Sequence, residues 1–394
     1  MKFVNIDDVQ YDMSSPNSKD FTKRNIISFG DIPLPNVNIL WHHIDGFELT
    51  LISDSDEIFD VEIYDNNKKL LYSAKLSNGM YCKLNRKYFA GIEYKIYFKG
   101  TLIKSENVNF AGNRILIGFE SSSLGDTLAW LPYCDIFAKQ HNCEVIVSTF
   151  MNQIFESQYP NLTFINPGVV VNNIHGLFKL GWFYNSDMEP QFPSTIPLQK
   201  SATNILGLEY NEVRPKLNFT KSERPIDKKY ITIGMTTTSG CKEWSHDGGW
   251  QKLINNLKDL GYEIAIIQKE PVNPNINGIL DWTGDYPLEV RMNQLYHSEF
   301  YIGLGSGLSW LAWAMNKHVV MIANFSEDGH EFMNNTTRIT NPSVCNGCWN
   351  NPNFKFDKGD WYWCPEHKGT DRQFECHKSI TPEMVINQIQ HLLQ

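Results

Sequence analysis

The chain has 394 residues, room for two or three domains, and 42% of them are hydrophobic, enough to fill large cores. Lys and Arg number 35 against 44 Asp and Glu, a formal net charge of −9, which argues against wholesale binding to nucleic acid or to anionic membranes. The N-terminus lacks the apolar centre of a signal peptide and no apolar run reaches membrane-spanning length, so a cytoplasmic protein with no membrane insertion is expected.

Residues 1–112 read as a β-rich unit. The runs from Phe47, Phe59 and Tyr94 alternate apolar and polar residues, the period of half-exposed strands, and Asp65-Asn-Asn, Ser77-Asn-Gly and Lys99-Gly supply turns. A small antiparallel domain is expected there, with an irregular segment from Asp12 to Asp20. Residues 113–223 alternate strands (from Ile115, Cys143, Leu162 and Lys179) with helices (Thr127 to Gln140, a short turn at Ile154, Ser201 to Leu208), the spacing of βαβ units and a parallel sheet. Arg224-Pro-Ile-Asp-Lys-Lys reads as a linker into a second such unit, 224–340. Its strands start near Tyr230, Glu263, Phe300 and Val319. Its helices run from Trp250, closed by Gly261, from Leu288 to His297 and from Ser309 to Asn316. Residues 341–394 hold a Cys-rich segment and a closing helix that starts near Thr381-Pro-Glu. The expected class is α/β: two Rossmann-like domains facing one cleft, flanked by the β unit and the Cys segment.

Three stretches carry chemistry. The strand from Ile115 opens through Ser121, Ser122, Ser123, Leu124 and Gly125 into a helix beginning with Asp126 and Thr127. A carboxylate at that crevice serves either as a helix cap or as a base. In the second unit, Thr236, Thr237 and Thr238 precede Lys242, a set suited to a diphosphate leaving group, although a solvated loop lysine is equally consistent with the spacing. Gly305, Ser306, Gly307, Leu308 and Ser309 join a strand to a helix, so backbone N–H groups can meet a phosphate; an ordinary tight turn has the same appearance, and the Gly-Lys-Ser/Thr ending of a Walker loop is missing. Glu270, after the strand at Ile264, sits where an acidic residue could hold a ribose hydroxyl. Of the eight cysteines, Cys345, Cys348, Cys364 and Cys376 cluster in a pattern suited to a structural four-thiolate zinc or iron site with no open position. Trp349, Trp361 and Trp363 interleave with them. His42, His43, His246, His330 and His367 have no motif partner.

Together these stretches resemble the bacterial ADP-heptose transferases. Ser122-Ser-Leu-Gly-Asp126 is similar to their Ser-x-Gly-Asp turn, and Lys242-Glu-Trp244 to their Lys-x-Trp loop. Gly305-Ser-Gly-Leu-Ser-Trp310 resembles their Asp-Thr-Gly-Leu-x-His loop, with Gly305 for Asp and Trp310 for His. The β-rich unit and the Cys segment resemble one branch, the autotransporter heptosyltransferases. That resemblance implies a GT-B fold, ADP-glycero-manno-heptose as donor and serines of an autotransporter adhesin as acceptor. It also implies iron at the four cysteines, with zinc as the alternative, and a large ring-shaped homo-oligomer. It further implies inverting transfer without a catalytic divalent metal. Asp126 is then the base and Lys242 the catalytic cation. Ser123, Gly125, Thr127, Thr237, Thr238, Glu270 and Gly305 to Ser309 bind substrate. The β-rich unit would hold the acceptor or build the oligomer. A transferase acting on lipopolysaccharide or another glycan, and a non-catalytic metal-stabilised adaptor, are the competing expectations.

Overall fold

A computed structural model describes residues 34–393, so the expected irregular segment at Asp12 to Asp20 lies outside the described residues. The strands are β1 (Val37–His43), β2 (Phe47–Ser53), β3 (Phe59–Tyr64), β4 (Leu70–Leu76), β5 (Tyr81–Lys83), β6 (Glu93–Phe98), β7 (Thr101–Asn107), β8 (Arg114–Phe119), β9 (Glu144–Ser148), β10 (Leu162–Ile165), β11 (Gly176–Leu180), β12 (Tyr230–Ile233), β13 (Glu263–Ile266), β14 (Leu280–Asp281), β15 (Tyr301–Gly303), β16 (Val319–Ile322) and β17 (Thr336–Ile339). The helices are α1 (Leu124–His141), α2 (Leu198–Leu206), α3 (Gly249–Asp259), α4 (Leu288–His297), α5 (Gly307–Ala314), α6 (Glu375–Lys378) and α7 (Pro382–Ile389).

The first sheet has seven strands in the order β10-β9-β8-β11-β1-β2-β5. Its first five strands are parallel, and β2 and β5 add on antiparallel. The N-terminal segment is therefore divided between two sheets. His43 pairs with Gly176, and only β4-β3-β6-β7 form the separate antiparallel sheet. Gly176 permits this junction, because a Cβ there would lie 3.0 Å from Ile115 Cδ1 and 3.6 Å from the His43 carbonyl oxygen. Trp41 packs edge-on against His175 and Phe110, sealing the seam. Burial alternates along β2, β3 and β6, as their apolar periodicity requires.

The second sheet is fully parallel, in the order β14-β13-β12-β15-β16-β17. Strand order reverses on either side of β12, so the crevice for a ligand opens at the ends of β12, β13 and β15. Here β12, β13 and β16 are almost wholly buried, which explains their unbroken apolar runs.

α1 is buried on nearly every side, because it lies on the first sheet and also packs against α2 and α5. It carries Pro132 within its length and ends at Asn142, whose left-handed backbone donates its N–H to the Ala138 carbonyl. α7 starts with Thr381 accepting a hydrogen bond from the Met384 N–H, and packs on α3. The apolar core runs without a break from the first sheet through α1 into Trp310, Leu311 and Trp313 of α5. α1 and α5 therefore form the packed floor that sets the two sheets against each other.

Candidate active site

A cleft of about 900 Å³ opens where the C-terminal ends of the two parallel sheets face each other. Ser121, Ser123, Gly125, Asp126, Trp182 and Tyr184 line it from the first unit. Thr237, Thr238, Lys242, Glu270 and Gly305 through Leu308 line it from the second. The three stretches singled out in the sequence, far apart in the chain, thus share one cavity.

Asp126 stands in the first turn of α1 and is 8% exposed. Its Oδ2 accepts hydrogen bonds from Ser121 Oγ at 2.6 Å and from Trp182 Nε1 at 3.0 Å. Ser123, the residue before α1, makes no side-chain cap, and the helix entry is closed instead by Thr127, whose N–H and hydroxyl both bond the Ser123 carbonyl. Burial raises the Asp126 pKa above the usual carboxylate range, partly offset by Ser121, Trp182 and Lys242. The raised pKa makes it a stronger base, and with both donors on one oxygen the other is available to an acceptor.

The donor-side loop meets α1 head-on. A Cβ at Gly307 would lie 3.1 Å from Leu124 Cβ, and one at Gly125 would lie 3.1 Å from Trp310 Cδ1. The two glycines let the N-terminal ends of α1 and α5 touch, so both helix dipoles present their positive ends near one place. Thr127 and Ser309 do not face the cleft, although substrate contacts were expected of both. Each is fully buried, and each hydroxyl is spent on a backbone carbonyl, Ser123 for Thr127 and Leu304 for Ser309. They hold the two turns in shape. Trp310 is likewise buried, edge-on against Phe332 and Trp313.

Beside Gly305 lies a residue that sequence reasoning missed. Glu331 Oε1 is 2.8 Å from where a Gly305 Cβ would stand, so no side chain, including the Asp of the resembled pattern, fits at 305 with Glu331 in place. Glu331 pairs with Arg338 Nη1 at 2.7 Å and accepts from Ser326 Oγ at 2.9 Å. Burial pushes its pKa up, but the Arg338 charge and these hydrogen bonds outweigh it and hold Glu331 down at about 2, fully ionised.

Around the cleft, Glu270 accepts from Thr236 Oγ1 at 2.8 Å. Buried Arg291 bonds the carbonyls of Trp282, Gln268 and Gly284, fixing the loops that follow β13 and β14. Lys242 lies at the end of a single helical turn, Gly240–Lys242, with Nζ 5.5 Å from the centre of the Phe325 ring. His330, without a motif partner in the sequence, bridges the halves. Nδ1 donates to the Ile196 carbonyl at 2.9 Å, and Nε2 accepts from Trp349 Nε1 at 2.9 Å. Burial lowers its pKa, consistent with this neutral tautomer. Trp349 meets Trp182 edge-on at 5.4 Å, so the Cys segment touches the residue that holds Asp126.

The Cys segment builds its own small core from Cys241, Phe325 and Trp363, with Trp349, Phe356 and Phe374 against them. Cys345 lies with His367 and Glu375, the possible ligand atoms of all three being within 4.8 Å of one another. Both Glu375 oxygens are already bonded by Arg372, which makes this carboxylate a poor choice of metal ligand. The thiols of Cys345, Cys348 and Cys376 are all pushed up, first by burial and then by their neighbours, Cys345 to about 11 and Cys348 to about 12. No three of Cys345, Cys348, Cys364 and Cys376 bring their sulfurs within that same 4.8 Å of one another, so the four expected ligands are neighbours in one segment and not a closed tetrahedral set. Sulfur donors are nonetheless the kind that zinc and iron take.

Two facing Rossmann-like sheets, a carboxylate at the first and a glycine-rich loop with a lysine at the second define a GT-B glycosyltransferase. The chain is 32% identical over 370 residues to the autotransporter heptosyltransferase BAHTCr of Citrobacter rodentium, covering 90% of this chain and 89% of that protein. It is 37% identical over 290 residues to the autotransporter heptosyltransferase Aah of Escherichia coli, covering 71% and 74%. It therefore belongs to the autotransporter heptosyltransferases. No protein-family model matches it. Among solved structures, the dodecameric iron-containing heptosyltransferase TibC of E. coli in complex with ADP-heptose superposes with a TM-score of 0.80 at 31% identity, over 90% of this chain and 95% of that one. A relative described as an inactive autotransporter heptosyltransferase, BimC of Burkholderia thailandensis, is 30% identical over 327 residues, covering 80% and 77%. Membership of the family thus does not by itself carry catalysis, and the cleft has to be judged on its own groups.

Proposed function

We propose that this chain moves heptose from ADP-heptose to serine hydroxyls of an autotransporter, with inversion at the anomeric carbon. The observation that carries the reading is Asp126, a buried carboxylate of raised pKa with one oxygen held by Ser121 and Trp182, in the same cleft as Lys242 and the Gly305–Gly307 loop. Asp126 takes the proton of the acceptor hydroxyl. The freed oxygen forms a bond to the anomeric carbon while the bond from that carbon to the ADP oxygen breaks on the opposite face. ADP departs with its charge met by Lys242, by the Thr238 hydroxyl, and by backbone N–H groups where Ser306 and Gly307 open α5. The Thr237 hydroxyl, which donates to the Ser239 carbonyl at 2.6 Å, shapes the loop unless it turns to the diphosphate. These groups supply the charge that a divalent ion would otherwise bring. Ser123 and Gly125 sit on the acceptor side, Leu308 borders the donor, and Glu270 is placed for a ribose hydroxyl.

The four thiols of Cys345, Cys348, Cys364 and Cys376 would hold iron or zinc; iron is supported by the iron-containing TibC structure. The metal would tie residues 341–377 into the wall that carries Trp349. Cysteines that hold a metal as thiolates fit a reducing, cytoplasmic setting. Assembly into a homo-oligomer follows the dodecameric relative.

Transfer of labelled heptose from ADP-heptose to a purified autotransporter passenger tests the reading. Asp126→Asn should cut the rate by about 10² to 10⁴, the worth of a general base, while ADP-heptose still binds. An unimpaired Asp126→Asn variant would remove the carboxylate from the mechanism. A purified wild-type protein that neither binds nor turns over ADP-heptose would instead favour a binding role like that of an inactive relative.

A further inference from the structure

The cleft contains a buried carboxylate that the mechanism leaves without work. Glu331 lines the same cavity as Asp126 and is held by Arg338 and Ser326. Arg338 reaches it from behind, and its other nitrogen bonds the Ser326 carbonyl and hydroxyl. Gly305 leaves space beside Oε1, since a Cβ there would stand only 2.8 Å from it. An ionised carboxylate has about four acceptor sites, and the bonds from Arg338 and Ser326 leave room on that face. A carboxylate so held that still lines a ligand cavity can accept further hydrogen bonds from a ligand's hydroxyls. It repels phosphate. Lys242 and the N–H groups at Ser306 and Gly307, also in the cavity, attract it. The donor side of the cleft is thereby divided into an anion-accepting part and a hydroxyl-accepting part, the division a nucleotide sugar presents.

We propose that Glu331 recognises hydroxyl groups of the transferred sugar, and that residue 305 is glycine so that the Glu331 carboxylate can reach them. This rests on the nucleotide-sugar reading above. Glu331 is then a determinant of donor affinity and specificity, and the proton transfer is left to Asp126.

Calorimetric titration of the full-length protein with ADP and with ADP-heptose separates the roles. In wild type the sugar should add affinity over ADP alone. Glu331→Gln removes the charge, and Glu331→Asp keeps it but withdraws the carboxylate by one methylene. Both should weaken ADP-heptose by about 10- to 100-fold, the worth of hydrogen bonds to a charged group, while ADP changes less than about twofold. Equal losses for ADP and ADP-heptose, loss of folding in both variants, or an unchanged preference for ADP-heptose would each overturn the proposal. In the last case wild-type binding of ADP-heptose would leave the transferase reading standing. Wild type that binds ADP but gains nothing from the sugar would overturn both.

Discussion

At Asp126 the surroundings matter as much as the carboxylate. Burial raises its pKa, and the Trp182 indole and Ser121 hydroxyl restrain that rise while fixing the side chain. Trp182→Phe removes a donor to the ionised form, so the pKa should rise further and the acid limb of kcat/KM should move to higher pH. A pH–rate profile with the limb unmoved, or displaced to lower pH, would show that Trp182 does not tune this group. Lys242→Ala should lower the rate at saturating donor by about 10² to 10³, as loss of a charge-stabilising group does; a change confined to KM would assign Lys242 to ground-state binding. Asp126, Lys242 and the glycine loop were legible in the sequence because each follows a strand with a recognisable spacing. Glu331, Trp182 and His330 were not, because their partners lie at Gly305 and Arg338, at Asp126, and at Ile196 and Trp349, which only the fold brings near. The Gly305 departure was a usable hint that a neighbour had taken the space.

Among the elements, α4 was legible to the residue at Leu288–His297, and α3, α5 and most parallel strands nearly so, because periodicity is a local signal. The short β14 and the half-buried β17 were not, and β11 starts at Gly176, ahead of the expected Lys179. The destination of β1 was not legible. It pairs with β2 across a short hairpin and, through His43, with Gly176 more than a hundred residues later. Truncation at residue 112 therefore removes β1, β2 and β5 from the seven-stranded sheet and bares the edge of β11. Such a truncation should be insoluble or grossly destabilised, so its solubility and melting temperature decide whether that segment is a detachable unit. The loop between β11 and α2 has its own constraint. Glu189 is buried, accepts from Ser201 Oγ of α2 at 2.9 Å, and has its pKa raised by burial to about 8. The folded protein retains a proton there that the unfolded chain, with a pKa near 4.5, has lost. Stability should consequently decline as pH rises from about 4.5 to about 8 and then level off. Glu189→Gln, neutral throughout, should flatten that part of the melting-temperature profile, and an unchanged slope would refute the assignment.

Across the whole molecule, the Cys segment and the two Rossmann-like units meet at one aromatic junction. Trp349 bonds His330 and packs on Trp182, while Asn350 Nδ2 bonds the Ser194 carbonyl at 2.7 Å. A metal that organises residues 341–377 should therefore also steady the cleft. Chelation should lower the melting temperature and alter the tryptophan fluorescence; a metal-free protein with both unchanged would disconnect the segment from the site. The cysteine spacing pointed to a metal site, but not to the segment's place in the cleft wall, since that contact depends on where the chain returns after β17. The central claim is that Asp126 drives heptose transfer onto a protein. Its most direct measurement is the intact mass of an autotransporter passenger co-expressed with this chain in cells that make ADP-heptose. Wild type should add mass in whole heptose increments and Asp126→Asn should add none. An unmodified passenger with wild type, or equal modification by both, would contradict the account.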